Sequence, residues 1–245
     1  MIPATVVVVT YNRLEKTRQC IESLLGTRST YPYKLYVIDN GSKDGTRDYL
    51  IKSSRFFEQL ILLERNIGTA KAQNIGWALS DKNYYVKLDD DVVILREDWL
   101  DTLVGIVNML PQYAVSGHIW FEGYGTKVID GFYLRDIDGG LDYYSPCTLI
   151  PKRTFDVLGY WTTAFGVYGF EDFDYRVRMS IAGLRYCYAG DTNYIKHLGP
   201  NMDPNDGEEL VEIKMKSRME GEIIRKQLVG EYEAGVRSIK SMEIL

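Results

Sequence analysis

The sequence predicts an α/β fold: a doubly wound, mostly parallel sheet with helices on both faces, joined to a smaller half of mixed strands. Three observations carry that prediction. Thr5 to Thr10 (TVVVVT) is a β-branched run with no polar alternation, which suits a strand covered on both faces. Strand-like and helix-like segments then alternate through the first hundred residues, the pattern of right-handed βαβ crossovers. Between Tyr113 and Phe170 the texture changes to short strands, many glycines and dense aromatics.

After the first strand, Asn12 is placed to cap a helix, with Glu15 at the reciprocal capping position and Leu14, Thr17, Ile21, Leu24 and Leu25 at helical spacing. Lys34 to Asp39 reads as a second strand, Thr46 to Ile51 as a short helix, Gln59 to Leu63 as a third strand and Thr69 to Leu79 as another helix. A fourth strand, Tyr84 to Leu88, runs into Asp89-Asp90-Asp91. That acidic tripeptide falls at the carboxyl end of a strand, the edge at which open α/β sheets bind ligands. Helical periodicity follows over Asp98 to Leu110. It returns over Glu171 to Ala182, with Phe173, Val177 and Ile181 four apart on one face, and over Gly207 to Leu228, where Val211, Met215, Met219 and Ile223 mark an amphipathic tail helix. Neither a long repeat nor a linker interrupts the chain, so it reads as one domain, 1–245, in three stretches: 1–112, 113–200 and a helical extension, 201–245.

Composition narrows the function. Apolar residues make up 45% and charged residues 26%, the balance of a globular protein rather than a disordered or fibrous one. A net charge of −5 provides no general cationic field, so nucleic acid is not an expected partner. Cys20, Cys147 and Cys187 are odd in number and widely spaced, forming neither a disulfide framework nor a CxxC metal knuckle, and a reducing cytoplasm fits them. No apolar run approaches the roughly 20 residues of a membrane-spanning helix, and Met1-Ile2-Pro3 lacks the charged start of a signal peptide. The expectation is a cytoplasmic protein without a transmembrane segment, able to work peripherally at the inner face of a membrane. The mixed charges of the tail helix favour packing on its own domain or a homodimer.

Four segments carry chemistry. In extended chain Asp89 and Asp91 share a face while Asp90 points away, and two converging carboxylates suit a hard divalent cation, Mg²⁺ or Mn²⁺; the competing reading is a plain acidic turn. Val37 to Thr46 (VIDNGSKDGT) ends a strand at Asp39 and turns through Asn40-Gly41 and Asp44-Gly45, so Asp39 either reads a nucleoside edge or caps the turn. Thr10-Tyr11-Asn12-Arg13 stands where a dinucleotide-binding fold would carry GxGxxG, which argues against a dehydrogenase. Asn66 precedes a helix that contains Lys71, a combination suited to phosphate or to ordinary capping.

Taken in order, VVVVTYNR, VIDNGSKDGT, RNIGTAKAQNIG and KLDDDV resemble the amino-terminal half of family 2 glycosyltransferases, the nucleotide-diphospho-sugar transferases of GT-A fold. GFEDFDYRVR, Gly169 to Arg178, resembles that family's Glu-Asp motif. The resemblance spans roughly residues 4 to 198, makes 1–112 the nucleotide-sugar half and makes 113–200 the acceptor half. It implies that Tyr11 and Asp39 hold the nucleobase, Asn66 and Lys71 the nucleoside and phosphates, and Thr10, Arg13 and Asp90 further donor contacts. It also implies Asp172 as catalytic base, Glu171 beside the acceptor, and His197 as a metal ligand with Asp89 and Asp91. Without the family, Glu171 and Asp172 are acids at a helix start, where the dipole favours them, and His197 is a solitary histidine.

Aromatic side chains can stack on sugars, and of those between Tyr113 and Phe170, Trp161 and Tyr168 are the ones expected to face acceptor. The glycines at Gly123-Tyr124-Gly125 and Gly139-Gly140 are expected in mobile lids. The activity so implied is a metal-dependent transfer of a sugar from a nucleotide diphosphate, most often UDP, to a hydroxyl of a glycan or glycoconjugate. One carboxylate base without a second catalytic acid fits a single inverting displacement. Two alternatives stand behind it: a sugar-phosphate nucleotidyltransferase, which should carry a basic glycine-rich loop after the first strand where only Arg13 occurs, and a non-catalytic glycan-binding protein on the same fold.

Overall fold

The computed structural model describes residues 2–80, 83–118, 127–136, 146–199 and 208–245. The chain opens with β1 (Ala4–Thr10), α1 (Leu14–Gly26), β2 (Tyr33–Asp39), α2 (Thr46–Ser53), β3 (Gln59–Leu62), α3 (Thr69–Leu79) and β4 (Tyr84–Asp89). It continues through β5 (Val92–Ile94), α4 (Trp99–Met109), β6 (Tyr113–His118), β7 (Lys127–Ile129) and β8 (Phe132–Asp136). The remainder is β9 (Cys147–Pro151), α5 (Lys152–Leu158), α6 (Glu171–Ile181), β10 (Arg185–Ala189), β11 (Ile195–His197) and α7 (Glu208–Glu233).

β1 sits between β2 and β4, parallel to both, and β3 extends the sheet beyond β2. β9 runs antiparallel between β4 and β6, β10 returns parallel to β6, and the β8-β7 hairpin finishes that edge. In the order β3-β2-β1-β4-β9-β6-β10 only β9 opposes the rest, so the expected mostly parallel sheet is present. A separate ribbon pairs β11 with β5.

The two sheet faces bury two cores. Val6 and Val8 pack with Cys20, Ile21 and Leu24 of α1, Leu50 of α2 and the apolar face of α4. Val7 points the other way into a core shared by Ala70, Ala72 and Trp77 of α3, Phe155 of α5, and Tyr175 and Met179 of α6. All three valines are fully buried, which accounts for the absence of polar alternation; each contributes about 1.5–3 kcal/mol relative to exposure. Gly76 lets α3 lie against β1, because a β-carbon there would stand 2.6 Å from Val7 Cγ1. Trp77 stacks on Tyr85 with ring centroids 4.2 Å apart.

Several local expectations are corrected. Asn12 does not cap α1: it adopts φ 50° and its Oδ1 accepts from Lys43 N at 2.7 Å. Asp44 reaches in from the β2-α2 turn to accept from Leu14 N at 2.9 Å, and its other oxygen accepts from Thr46 N and Oγ1, so one carboxylate serves the starts of two helices. Burial would raise its pKa, but these hydrogen bonds outweigh that and hold it below the ordinary range. α5 forms where only short strands were expected. In α6 the inward face is Tyr175 and Met179, while Ile181 is exposed, and in α7 Met215, Met219 and Ile223 all face outward. The glycine lids at Gly123-Tyr124-Gly125 and Gly139-Gly140 lie outside the described residues.

The three cysteines are buried and no disulfide joins them. Among the described residues no helix is long and apolar enough to cross a membrane.

Candidate active site

The carboxyl ends of β1 and β4, the loop before α6 and one side of α7 enclose a cavity of about 490 Å³. It brings together Thr10, Tyr11, Arg13, Asn66, Asp89, Asp90, Asp91, Tyr168, Glu171, Asp172 and His197 from segments far apart in sequence.

The acidic tripeptide does not keep strand alternation, because β4 ends at Asp89 and the chain turns through Asp90 and Asp91 into β5. Asp90 therefore does not point away. It is 4% exposed and joins Asp91 in gripping Arg13, whose two terminal nitrogens donate to Asp90 Oδ1 and Asp91 Oδ2, each at 2.7 Å. Thr17 Oγ1 also lies 3.4 Å from Asp90 Oδ2. Burial raises the Asp90 pKa and Arg13 opposes that. Arg13, expected among donor contacts, is thus also the cation that lets two adjacent carboxylates coexist.

β11 pairs with β5 so that His197 lies opposite Val92, next to Asp91, and Leu198 N donates to the Asp91 carbonyl at 2.8 Å. The side chains meet as His197 Nε2 and Asp91 Oδ1, 3.4 Å apart. Two ligands at neighbouring corners of an octahedron with bonds near 2.1 Å stand about 3 Å apart, so this pair fits a divalent cation. Among the described residues no three His, Cys, Asp or Glu side chains gather into a full protein cage. A metal held here would complete its shell with substrate oxygens, as Mg²⁺ commonly does with phosphates. Asp89 is turned instead to Lys87, whose Nζ donates to it at 2.8 Å.

Lys87 is the residue that sequence reasoning passed over. It lies on β4 with its side chain 3% exposed and bridges Asp89 and Asp172, 3.4 Å from Asp172 Oδ2. Burial would lower its pKa, but the carboxylates of Asp172, Asp89 and Glu171 outweigh that and keep it charged. The available signal was a lysine within an apolar strand (YYVKLD), since buried lysines are almost always paired.

Asp172 occupies the first turn of α6. Its Oδ2 faces Lys87, and its buried Oδ1 has no hydrogen-bond partner among the described residues. Burial raises its pKa and Lys87 counters, and beside it the Glu171 carboxyl is pushed up to about 7, first by burial and then by the Asp172 charge. The backbone before them is strained, because Phe170 takes φ 64° with a non-glycine side chain.

Asn66 Oδ1 accepts from Asn40 Nδ2 and Gly68 N, each at 2.9 Å, fixing the loop that leads into α3 along the cavity wall. Three expected site residues are not brought to the cavity. Asp39 is fully buried, accepting from Ser42 N at 3.0 Å and from Arg47 Nε at 2.7 Å, which is the turn-capping alternative. Lys71 lies partly exposed on α3, away from the lining. Trp161 is fully buried, its ring centroid 4.4 Å from that of Tyr175, so it is a core residue rather than an acceptor platform. Trp120, Phe121, Tyr124, Tyr143 and Tyr144 lie outside the described residues.

Residues 5–164 match the profile of "Glycosyl transferase family 2". The chain belongs to that family. The matched span holds Arg13 and the acidic tripeptide and ends before Asp172 and His197. A curated relative is "Glycosyltransferase AglE" of Haloferax volcanii, 29% identical over 122 residues, covering 48% of this chain and 39% of AglE. A second, "Uncharacterized protein y4gI" of Sinorhizobium fredii, is 22% identical across 73% of this chain and 23% of its own length. The chain therefore spans well under half of either relative.

Among solved structures, mannosyltransferase PcManGT from Pyrobaculum calidifontis, in complex with GDP-Man and Mn²⁺, superposes with a TM-score of 0.61 at 17% identity, covering 77% of this chain and 55% of that one. TarS 1-349 of S. aureus in complex with UDP-GlcNAc gives 0.60 at 18% identity, covering 81% and 60%. At such identities the likeness is one of fold, and the fold of this family member is GT-A.

Proposed function

We propose that the protein is a metal-dependent, inverting glycosyltransferase that moves a sugar from a nucleotide diphosphate, taken as UDP, to a hydroxyl of a glycan or glycoconjugate. The observation that carries this reading is Asp172, a carboxylate in the first turn of α6 that lines the same cavity as the Asp91–His197 pair.

The nucleotide lies against Tyr11 and the Asn40–Asn66 pair at the ends of β1 and β2, with the diphosphate directed toward Asp91 and His197. A divalent cation bound there would offset the charge that grows on the departing diphosphate. Asp172 accepts the hydroxyl proton as that oxygen attacks the anomeric carbon; burial raises its pKa and Lys87 opposes the rise. Lys87 holds Oδ2, fixing the carboxylate's orientation and balancing its charge before the proton arrives. Tyr168 and Glu171 border the acceptor. With one base on one face, the displacement inverts configuration.

The test is a screen of α-linked UDP- and GDP-sugars with Mn²⁺ against a glycan acceptor array, the product's anomeric configuration being read by proton NMR. A β-linked product supports the reading, and an α-linked product contradicts inversion.

A further inference from the structure

Resting on the glycosyltransferase reading of this cavity, we infer that the wall supplied by α7 is a subsite for an anionic group, a phosphate or a carboxylate, carried by the acceptor.

Where α7 borders the cavity it turns charge inward, although further along it buries Leu228 and Tyr232. Helices at a protein surface ordinarily turn apolar residues inward and charges to solvent. Here Met215, Met219 and Ile223 are 58%, 76% and 72% exposed, while Lys214 is 2% exposed and, with Arg218 and Arg225, lines the cavity. A buried cation is costly unless a compensating charge or ring faces it, so the side of α7 beside the cavity is a polar one with partners of its own.

The placement of the cations indicates what they meet. Lys214 Nζ lies 5.3 Å from the Tyr168 ring centroid. Arg225 lies 4.8 Å from the ring centroid of Phe173, the residue after Asp172, and is paired with Glu222 at 2.9 Å. Arg218 is exposed at the cavity rim and has neither a hydrogen bond nor an ion pair among the described residues. Tyr168 and Phe173, both lining the cavity with the proposed base, thus each have a cavity-lining cation near the ring. A hydroxyl within reach of Asp172 belongs to the acceptor, and its neighbouring sugar falls against Phe173 and α7, whereas the nucleotide lies at the β1 and β2 ends.

Asp89, Asp90, Asp91, Glu171 and Asp172 also line this cavity. An anionic acceptor would be repelled by those carboxylates unless cations stood beside it. Arg218 and Arg225 supply them, and Arg218 presents the planar fork that binds phosphate or carboxylate through two hydrogen bonds.

The experiment titrates three synthetic glucose tetrasaccharides into the full chain, with UDP and Mn²⁺ and without them. They differ only in the ring next to the terminal sugar, which is neutral, carries a carboxylate or carries a 6-phosphate. The expected result is at least tenfold tighter binding of one or both charged probes, a preference cut at least fivefold by Arg218→Ala and largely kept by Arg218→Lys. UDP affinity of Arg218→Ala should stay within twofold of the unaltered protein. Equal binding of charged and neutral probes, failure of the charged probes to bind, or a preference that survives Arg218→Ala overturns the proposal. Loss of UDP affinity in Arg218→Ala would assign the cations to the donor diphosphate and overturn it too. Failure of the parent reading shows separately, as absence of nucleotide binding by the unaltered protein, and the probe comparison made without nucleotide still decides the subsite.

Discussion

A carboxylate can accept a substrate proton only if substrate can reach it, and Asp172, with Oδ2 facing Lys87, keeps part of its side chain open to the cavity. Asp172→Asn keeps the shape and removes the base, so transfer should fall about 10²–10⁴-fold while nucleotide affinity stays within about twofold by calorimetry; undiminished transfer would remove Asp172 from the mechanism. Glu171 gives a prediction about stability. Its folded pKa of about 7 lies above the ordinary 4.5, so between those values the folded protein holds a proton that the unfolded chain has lost. The stabilisation is therefore complete below the lower value and is lost as pH rises through the upper one. Glu171→Gln removes the cost of burying the charge, and its melting temperature should exceed that of the unaltered protein at about pH 8, by roughly 1–3 kcal/mol in stability terms, with the gain shrinking near pH 5. An equal difference at both pH values would contradict the assignment. At this scale the sequence reveals residues through motif and position, as with Asp91, Asp172 and His197. It does not reveal Lys87, whose importance arises only when β4 and α6 come together, nor that Trp161 faces the core.

The first turn of α6, which carries Asp172, depends on α7. Phe170, held in the left-handed region, packs its ring over Gly221, where an added β-carbon would stand 2.3 Å from Phe170 Cδ2. Further along, Tyr232 donates to Asp174 Oδ1 at 2.8 Å, and the other Asp174 oxygen holds buried Arg178 at 2.7 Å. Gly221→Ala should displace the Phe170 ring and with it the start of α6, costing about 1–3 kcal/mol through overpacking and lowering kcat more than nucleotide affinity. A thermal melt and a turnover assay on one preparation check this, and an unchanged kcat would show that α7 does not position Asp172. The central strands and α1 to α4 were legible because each buries a continuous or periodic apolar set against a sheet face. α6 and α7 were legible as helices but not in orientation. Their inward faces mix apolar residues such as Met179, Leu228 and Tyr232 with Lys214, Ser217 and Gly221, which serve a polar cavity rim and a close approach, so the apolar period alone points to the wrong face.

Across the molecule, the sheet places the ends of β1 and β4, the β5-β11 ribbon and the α6-α7 pair around one cavity, so groups more than a hundred residues apart act together. The parallel half was legible as a fold because its crossovers follow handedness rules, and the site's location followed from the carboxyl edge of the strands. The closing wall from α7 was not, since it depends on a helix returning over the opposite side of the cavity. The central claim is that this edge holds a nucleotide diphosphate through a divalent cation carried by Asp91 and His197. Calorimetric titration of UDP and of GDP, each with Mn²⁺ and again with EDTA, into the unaltered protein and Asp91→Ala tests it most directly. The account predicts that one nucleotide binds with Mn²⁺ and weakens at least about tenfold, or 1.4 kcal/mol, both on chelation and in Asp91→Ala. Binding that is indifferent to both changes, or absent for both nucleotides, would contradict it.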